Sequence, residues 1–387
     1  MLEGLLNMSP GPTPVARSVL EALGQQVVPF TAPSFVEVVE RVNLRLKQMC
    51  NTNGMVFVFP GTGTLAMESA ISNTISETDR VLILSNGKWG ERFVQIVRGA
   101  GLSCDIIRAE SGQTVLPAEV KRALEQNSGK YKAVLATHIE TSTGVKAPIG
   151  EIGQIVSDAG LLYIVDAVCS LGAASISMEE MKIDILVSAS QKALGAPPGL
   201  SIVAVGEKAL MARKAMPGVR SFYCDWLEWE RVYKDPCHET HITHPVNLFY
   251  AMDKGLDRIF NEGLDNCFLR HKICAQAIRE GLDRLGFSIF AREDLVSETV
   301  TVVLYPNGVD DGIRTLLADQ GVIVAPGLEG KGFRIGHMGE ITGARILALL
   351  GVVEKVLKDD FNADCIGKGV IAAQKVLSES RPAWVTG

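Results

Sequence analysis

Short apolar runs alternate with amphipathic stretches through the first half of the chain. Residues 56–59, 80–84, 104–108, 133–137, 161–166, 185–188 and 201–205 are each of strand length and rich in β-branched or aromatic residues. Several are apolar almost throughout, the pattern of strands covered on both faces. Strand and helix alternating in this way predict an open α/β sheet of seven mostly parallel strands. Ligands of such sheets sit beyond the carboxyl ends of the strands, so the residues that follow each run are the first place to look for chemistry.

Ahead of the sheet, Ser34 with Glu37 three residues on reads as a capping box. It opens a helix whose apolar positions Phe35, Val38, Val39, Val42, Leu46 and Met49 recur at helical spacing. After the sheet, residues 245–261 and 263–285 read as two long helices. Strands are then expected at 288–291, 299–305 and 322–325, and helices at 310–320 and 341–358. The change of pattern predicts a large domain over residues 26–262, a smaller α/β domain over 263–387 and an N-terminal arm over 1–25.

Composition narrows the class. Hydrophobic residues make up 47% of the chain and charged ones 21%, as in a packed globular protein rather than a disordered one. A net charge of -6 without a basic block argues against nucleic acid and anionic membranes as partners, leaving small molecules. Met1–Asn7 carries Glu3 and no basic, apolar leader, no run is long enough to span a bilayer, and the ending Trp384-Val385-Thr386-Gly387 holds no address, so a cytoplasmic location is expected. The eight cysteines (50, 104, 169, 224, 237, 267, 274 and 365) include no Cys-x-x-Cys pair, which argues against both a disulfide framework and zinc. His238, His241 and His244 are evenly spaced, but Pro245 follows and no further ligand completes a set, so no metal is expected.

Five places could carry chemistry. Lys192 follows a buried run within Ser188-Ala-Ser-Gln-Lys192-Ala-Leu-Gly, where desolvation would ready an amine for Schiff-base chemistry. Asp166 ends a strongly apolar run, as would suit an acid that meets a cofactor cation. Phe59-Pro-Gly61-Thr62-Gly63-Thr64 is a strand, a glycine turn with hydroxyls and a helix start, suited to a phosphate monoester. Asn86-Gly87-Lys88-Trp89-Gly90 sets a flat aromatic between glycines after another strand. Arg334 lies in a glycine-bounded apolar strand, where a guanidinium commonly holds a carboxylate through two hydrogen bonds. Each has a plainer reading alone: a surface lysine, a turn acid, a tight turn with Thr64 as N-cap, a core tryptophan, a structural ion pair.

Taken together and in this order, the motifs resemble the class V aminotransferases of the aspartate-aminotransferase-like fold (fold type I), in particular the alanine/serine–glyoxylate or pyruvate branch. The resemblance runs almost end to end. It includes Ser9-Pro-Gly-Pro-Thr-Pro14, Gly61-Thr-Gly-Thr64, Asn86-Gly-Lys-Trp89-Gly, Thr137-His-Ile-Glu140-Thr-Ser-Thr-Gly144, Asp166-Ala-Val, Ser190-Gln-Lys192, Ser221-Phe-Tyr223, Thr243-His-Pro245 and Arg334-Ile-Gly.

The resemblance implies a cofactor, pyridoxal 5′-phosphate (PLP), bound to Lys192 as a Schiff base, with Asp166 on its pyridine nitrogen. Trp89 would stack on the ring, Thr62, Gly63, Thr64 and Gln191 would hold the phosphate, and Ser142 would lie near the ring substituents. Arg334 would receive the substrate α-carboxylate. Thr240 and Thr243 would reach the phosphate of a neighbouring subunit, implying a homodimer with shared active sites; Thr240 stands where the branch commonly has tyrosine. The implied reaction moves the amino group of a small amino acid, alanine or serine, to a 2-oxo acid such as glyoxylate or pyruvate by ping-pong kinetics. Within the family, a pyridoxamine–pyruvate aminotransferase is the rival reading. It shares Leu194-Gly-Ala-Pro-Pro-Gly199, Arg334-Ile-Gly-His-Met-Gly339 and Ile366-Gly-Lys-Gly369, but would not need the intact phosphate turn at 61–64. A cysteine desulfurase or lyase would need a loop thiol from the small domain, yet no cysteine lies between Cys274 and Cys365. A non-catalytic binding protein would need neither Lys192 nor Asp166.

Overall fold

A computed structural model describes residues 5–234, 236 and 240–379. Glu3, Cys237, His238 and the final Trp384-Val385-Thr386-Gly387, all singled out above, lie outside the described residues.

All seven expected strands form, as β1 (Met55–Gly61), β2 (Arg80–Ser85), β3 (Ser103–Arg108), β4 (Ala133–Thr137), β5 (Leu162–Asp166), β6 (Ile185–Ala189) and β7 (Gly199–Val205). They make one sheet in the order β1-β7-β6-β5-β4-β2-β3, parallel except that β7 runs against both its neighbours. The apolar runs have the cause inferred from sequence. Val56, Val58, Leu82, Leu84, Val134, Tyr163 and Val165 face one hydrophobic core, while Phe57, Phe59, Val81, Ile83, Leu135 and Ile164 face the other. Each apolar side chain buried this way contributes about 1.5–3 kcal/mol, so both sheet faces hold helices against them.

The first core is covered by the helix Pro33–Cys50 and by Val246–Glu262. In the former Phe35, Val38, Val39, Val42, Leu46 and Met49 are all buried, as expected. Its start differs from the expectation. Pro33 takes the first helical position and Ala32 is the N-cap, so Ser34 already lies inside the helix and no side chain caps it. The second core is closed by the helices Gly63–Thr74 and Lys88–Gly99 and by Trp226–Val232. In the last, Trp226 stacks on Phe57 at 5.9 Å and Trp229 meets Phe59 edge-on at 4.9 Å.

A second sheet is antiparallel, its strands β8 (Ser288–Ile289), β9 (Val300–Leu304), β10 (Ala325–Gly327) and β11 (Gly332–Gly336) lying in the order β8-β9-β11-β10. The helices Leu264–Arg284, Gly343–Phe361 and Lys368–Glu379 pack beside it; the last of these was not foreseen. The run expected as one strand at 322–325 splits. Val322–Ile323 pairs in parallel with Leu6–Asn7 near the chain's start, whereas Ala325–Gly327 joins the second sheet. The expected helix at 310–320 is shorter, Ile313–Asp319. Among the described residues no helix is long and apolar enough to cross a membrane.

Candidate active site

The carboxyl ends of β1, β2, β4, β5 and β6 share one edge of the sheet, where Thr137 pairs with Asp166 and Asp166 with Val187. β7 returns from that edge, so the connection from β6 to β7 turns back directly over it and carries Lys192. The turn is tied to itself: the Ser190 hydroxyl donates to the Pro197 carbonyl (2.6 Å) and accepts the Leu200 N–H (3.2 Å). Lys192 is buried, which holds its amine over the sheet edge rather than in solvent.

The chain's start closes over this lysine. Lys192 Nζ donates to the Pro10 carbonyl, Thr13 Oγ1 donates to the Lys192 carbonyl (2.9 Å) and the Thr13 N–H to that of Gln191 (3.1 Å). Gly11 has φ +134°, and a Cβ there would lie 2.5 Å from Lys192 Nζ. The Gly336 N–H donates to Met8 (2.7 Å), so the same segment also joins the second sheet. The sequence motif at 9–14 carried the resemblance but showed no role for Pro10, Gly11 or Thr13.

Asp166 is buried beneath this turn. One carboxyl oxygen accepts the Val168 N–H (2.9 Å), and among the described residues the carboxyl accepts no other hydrogen bond. Burial pushes its pKa up to about 7, with the Glu140 charge adding and the Val168 N–H and Lys192 opposing. Such a carboxyl lacks only a cation. Cys169 is buried in the same cluster, its Sγ 2.6 Å from Thr141 Oγ1, and burial pushes its thiol up while Lys192 pulls it down. Arg334 reaches in from β11, donating to the carbonyls of Pro326 (2.8 Å) and Thr141 (3.5 Å). Partial burial pushes its pKa down, and the charges of Cys169 and Glu140 act against that.

The turn after β1 leads into the helix Gly63–Thr74, with Thr62 rather than Thr64 as the N-cap residue and no side chain capping it. Uncapped first-turn N–H groups are a ready anion site. Gly63 is buried, and a Cβ on it would lie 2.7 Å from Val168 and 3.6 Å from Ala189, which ties this turn to the neighbourhoods of Asp166 and Lys192. The Arg92 guanidinium lies 5.3 Å from the Trp89 ring centre and reaches Thr64 Oγ1 at 3.4 Å.

Among the described residues Trp89 Nε1 and Gln191 Oε1 are two of the buried polar atoms without a hydrogen-bond partner, and both lie at this edge, where a ligand would complete them. An acid lacking its cation, an enclosed amine, an anion-ready helix end and two unpaired polar atoms fit a planar phosphorylated pyridine. Ser142 lies at the same edge, its hydroxyl donating to Glu140 (2.6 Å).

Two expected contacts are not gathered in the single chain. Thr240 donates to the Ile242 carbonyl (2.5 Å) and lines a small cavity with Phe30, Val36 and His244, and Thr243 is exposed. No group of three or more possible metal ligands occurs among the described residues. His244 meets the rings of Phe249 (5.3 Å) and Trp229 (5.6 Å) instead.

Comparison with known proteins bears on the site as a whole. The family model described as Aminotransferase class-V matches residues 7–338. An uncharacterized aminotransferase of Methanocaldococcus jannaschii is 40% identical over 380 residues, covering 96% of this chain and 97% of the relative. A serine–glyoxylate aminotransferase of Methylorubrum extorquens is 31% identical, with 96% and 95% covered. Among solved structures, a pyridoxamine–pyruvate aminotransferase from Mesorhizobium loti superposes with a TM-score of 0.91 at 30% identity over 97% of both chains.

Proposed function

The chain belongs to the class V aminotransferase family of PLP-dependent enzymes, and from that premise we propose that it moves the amino group of a small amino acid, alanine or serine, to glyoxylate or pyruvate. The observation that carries the reading is the placement of Lys192 and Asp166. Both are buried and set at the sheet edge where an uncapped helix end opens.

When bound, PLP supplies the electron sink that stabilises the substrate α-carbon after it loses its proton. Lys192 would hold the cofactor through its amine, and the same Nζ is the base and acid placed to take and return the substrate α-proton. Asp166 would keep the pyridine nitrogen protonated, its buried carboxylate gaining the cation it lacks. Thr62, Gly63, Thr64 and Gln191 would hold the phosphate, Trp89 would stack on the ring, and Ser142 would lie near the ring substituents. Arg334 binds the substrate carboxylate at the mouth of the site. The exposed position of Thr243 suits a contact made across a homodimer, with Thr240 and Thr243 completing the partner's phosphate site. The proposal includes the division into an arm (1–25), a large domain (26–262) and a small domain (263–387), and a cytoplasmic location.

Pyridoxamine as donor is the rival, and the uncapped N-terminus of Gly63–Thr74 favours a phosphorylated cofactor over it. The deciding experiment is an absorbance spectrum of the purified protein with L-alanine, L-serine or pyridoxamine added separately. A visible band bleached by alanine or serine, and absent in Lys192→Ala, supports the proposal. A colourless protein that reacts only with pyridoxamine and a keto acid refutes it.

A further inference from the structure

Glu140 is none of the residues assigned above to the cofactor or the substrate, yet it is fully buried, and among the described residues no cationic side chain pairs with it. A carboxylate in such a place is stable only if hydrogen bonds replace its water. Four do. Oε2 accepts the N–H groups of Trp89 (2.8 Å) and Gly90 (3.3 Å), and Oε1 accepts the Ser142 N–H (3.0 Å) and hydroxyl (2.6 Å). The two N–H groups on Oε2 open the helix Lys88–Gly99, whose dipole favours a negative charge there.

Two glycine-rich motifs that look independent in sequence are halves of this arrangement. Gly87 has φ +154°, and a Cβ on it would lie 2.5 Å from Ser142 Oγ and 2.7 Å from Glu140 Cγ. The space that a side chain at 87 would fill is taken by the glutamate and the serine. The Lys88 N–H donates to Ser142 Oγ (3.0 Å). A serine hydroxyl has one hydrogen and two lone pairs. Glu140 takes the hydrogen and Lys88 one lone pair, so toward the site Ser142 can only accept.

We propose that Glu140 is a positioning residue of this enzyme, locking the first turn of the helix Lys88–Gly99 to the turn at 140–144 and so fixing both the Trp89 ring and the polarity of the Ser142 hydroxyl. The inference rests on Trp89 and Ser142 being cofactor contacts. It makes Glu140 responsible for the cofactor's orientation without touching it.

The test compares wild type with Glu140→Gln, which keeps the reach but turns one acceptor into a donor facing donors. Three quantities are measured: the melting temperature of the PLP-free protein, PLP affinity by titration of the visible band, and visible circular dichroism per bound cofactor, which reports the ring's fixed orientation. Losing a charge-assisted pair of bonds at this lock should weaken PLP binding about tenfold or more and roughly halve the dichroism. The PLP-free protein should melt only a few degrees lower, the cost of mismatched buried donors, with the loss of affinity and dichroism exceeding what that fall explains.

Unchanged affinity and dichroism would overturn the proposal, as would losses wholly accounted for by a fall in PLP-free stability. If Glu140→Gln is not recovered folded, Glu140→Asp keeps the charge without the reach and is judged by the same outcomes. A wild-type protein that binds no PLP at all would sink the functional reading itself, whereas a normal wild type with an unaffected variant sinks only the lock.

Discussion

Replacing Asp166 by Asn should stabilise the empty protein and disable the loaded one. The carboxyl's pKa stands at about 7 in the fold against an ordinary 3.8, chiefly because it is buried. Each pH unit of that difference is worth about 1.4 kcal/mol, so at pH 8 the ionised acid costs the empty fold up to about 4 kcal/mol. The sign follows from the raised folded-state value: the stability of the neutral form is full below about pH 4, falls as pH rises toward 7, and is flat above. Asparagine keeps an oxygen for the Val168 N–H and carries no charge to desolvate. For a chain of 387 residues, at about 2 cal/mol/K of unfolding entropy per residue, the gain amounts to a rise in melting temperature of roughly 5 °C. The assay is thermal melting of PLP-stripped wild type and Asp166→Asn from pH 4 to 8.5. The variant should be the more stable at pH 8 and the advantage should vanish by about pH 4. With PLP present its kcat should fall about 100-fold, the cost of truncating one partner of a buried charged pair. A PLP-free variant that melts at or below wild type at pH 8 would refute the burial argument.

Other expectations are as direct. Gly11→Ala should reduce kcat about 100-fold because a Cβ at 2.5 Å displaces the Lys192 amine, and a shift of about 1 Å at a reacting group costs that much; turnover within twofold of wild type would exclude this contact. Arg334→Gln should raise KM for the amino acid by about 10- to 100-fold, the value of a hydrogen bond between charged groups, with little change in PLP affinity; an unaltered KM would place the carboxylate elsewhere. Thr243→Val should lower PLP affinity. Mixing a Thr243→Val chain with a Lys192→Ala chain should give heterodimers in which one site carries both lesions and the other neither, so at PLP too dilute to load the Thr243→Val homodimer the mixture should be more active than either variant alone; failure to exceed both would count against shared sites.

The sheet was readable because its inner strands are covered twice, which leaves apolar runs no other local structure needs, while the edge strand Ser103–Arg108 is only partly buried. Asp166 and Lys192 were visible for the same reason, as polar residues at the ends of such runs. The contacts around them were not. Pro10 lies 182 positions from Lys192, and nothing local to either marks the pairing. Glu140 looked like one more polar residue in a hydroxyl-rich turn, since the four donors that hold it come from segments 51 and 2 positions away. The capping box at Ser34 was misread because Pro33 is itself a favoured first helical residue and moves the N-cap two positions back, to Ala32. Leu6–Asn7 is too short for any periodicity, and its partner strand is more than 300 residues on.

The closure of the chain's start over Lys192 also dictates when the site can be finished. Leu6, Met8 and Pro10 find their partners at Gly321, Ile323, Gly336 and Lys192. During synthesis at about 5–20 residues per second, the opening segment therefore waits roughly 15 to 60 s for the strands at 322–336 to emerge. Over most of that interval the large sheet can form with residues 6–8 still undocked. The segment at 6–13 is tied at one end to the lysine turn and at the other to strands made much later, so the enclosure of the amine is completed only when both are present.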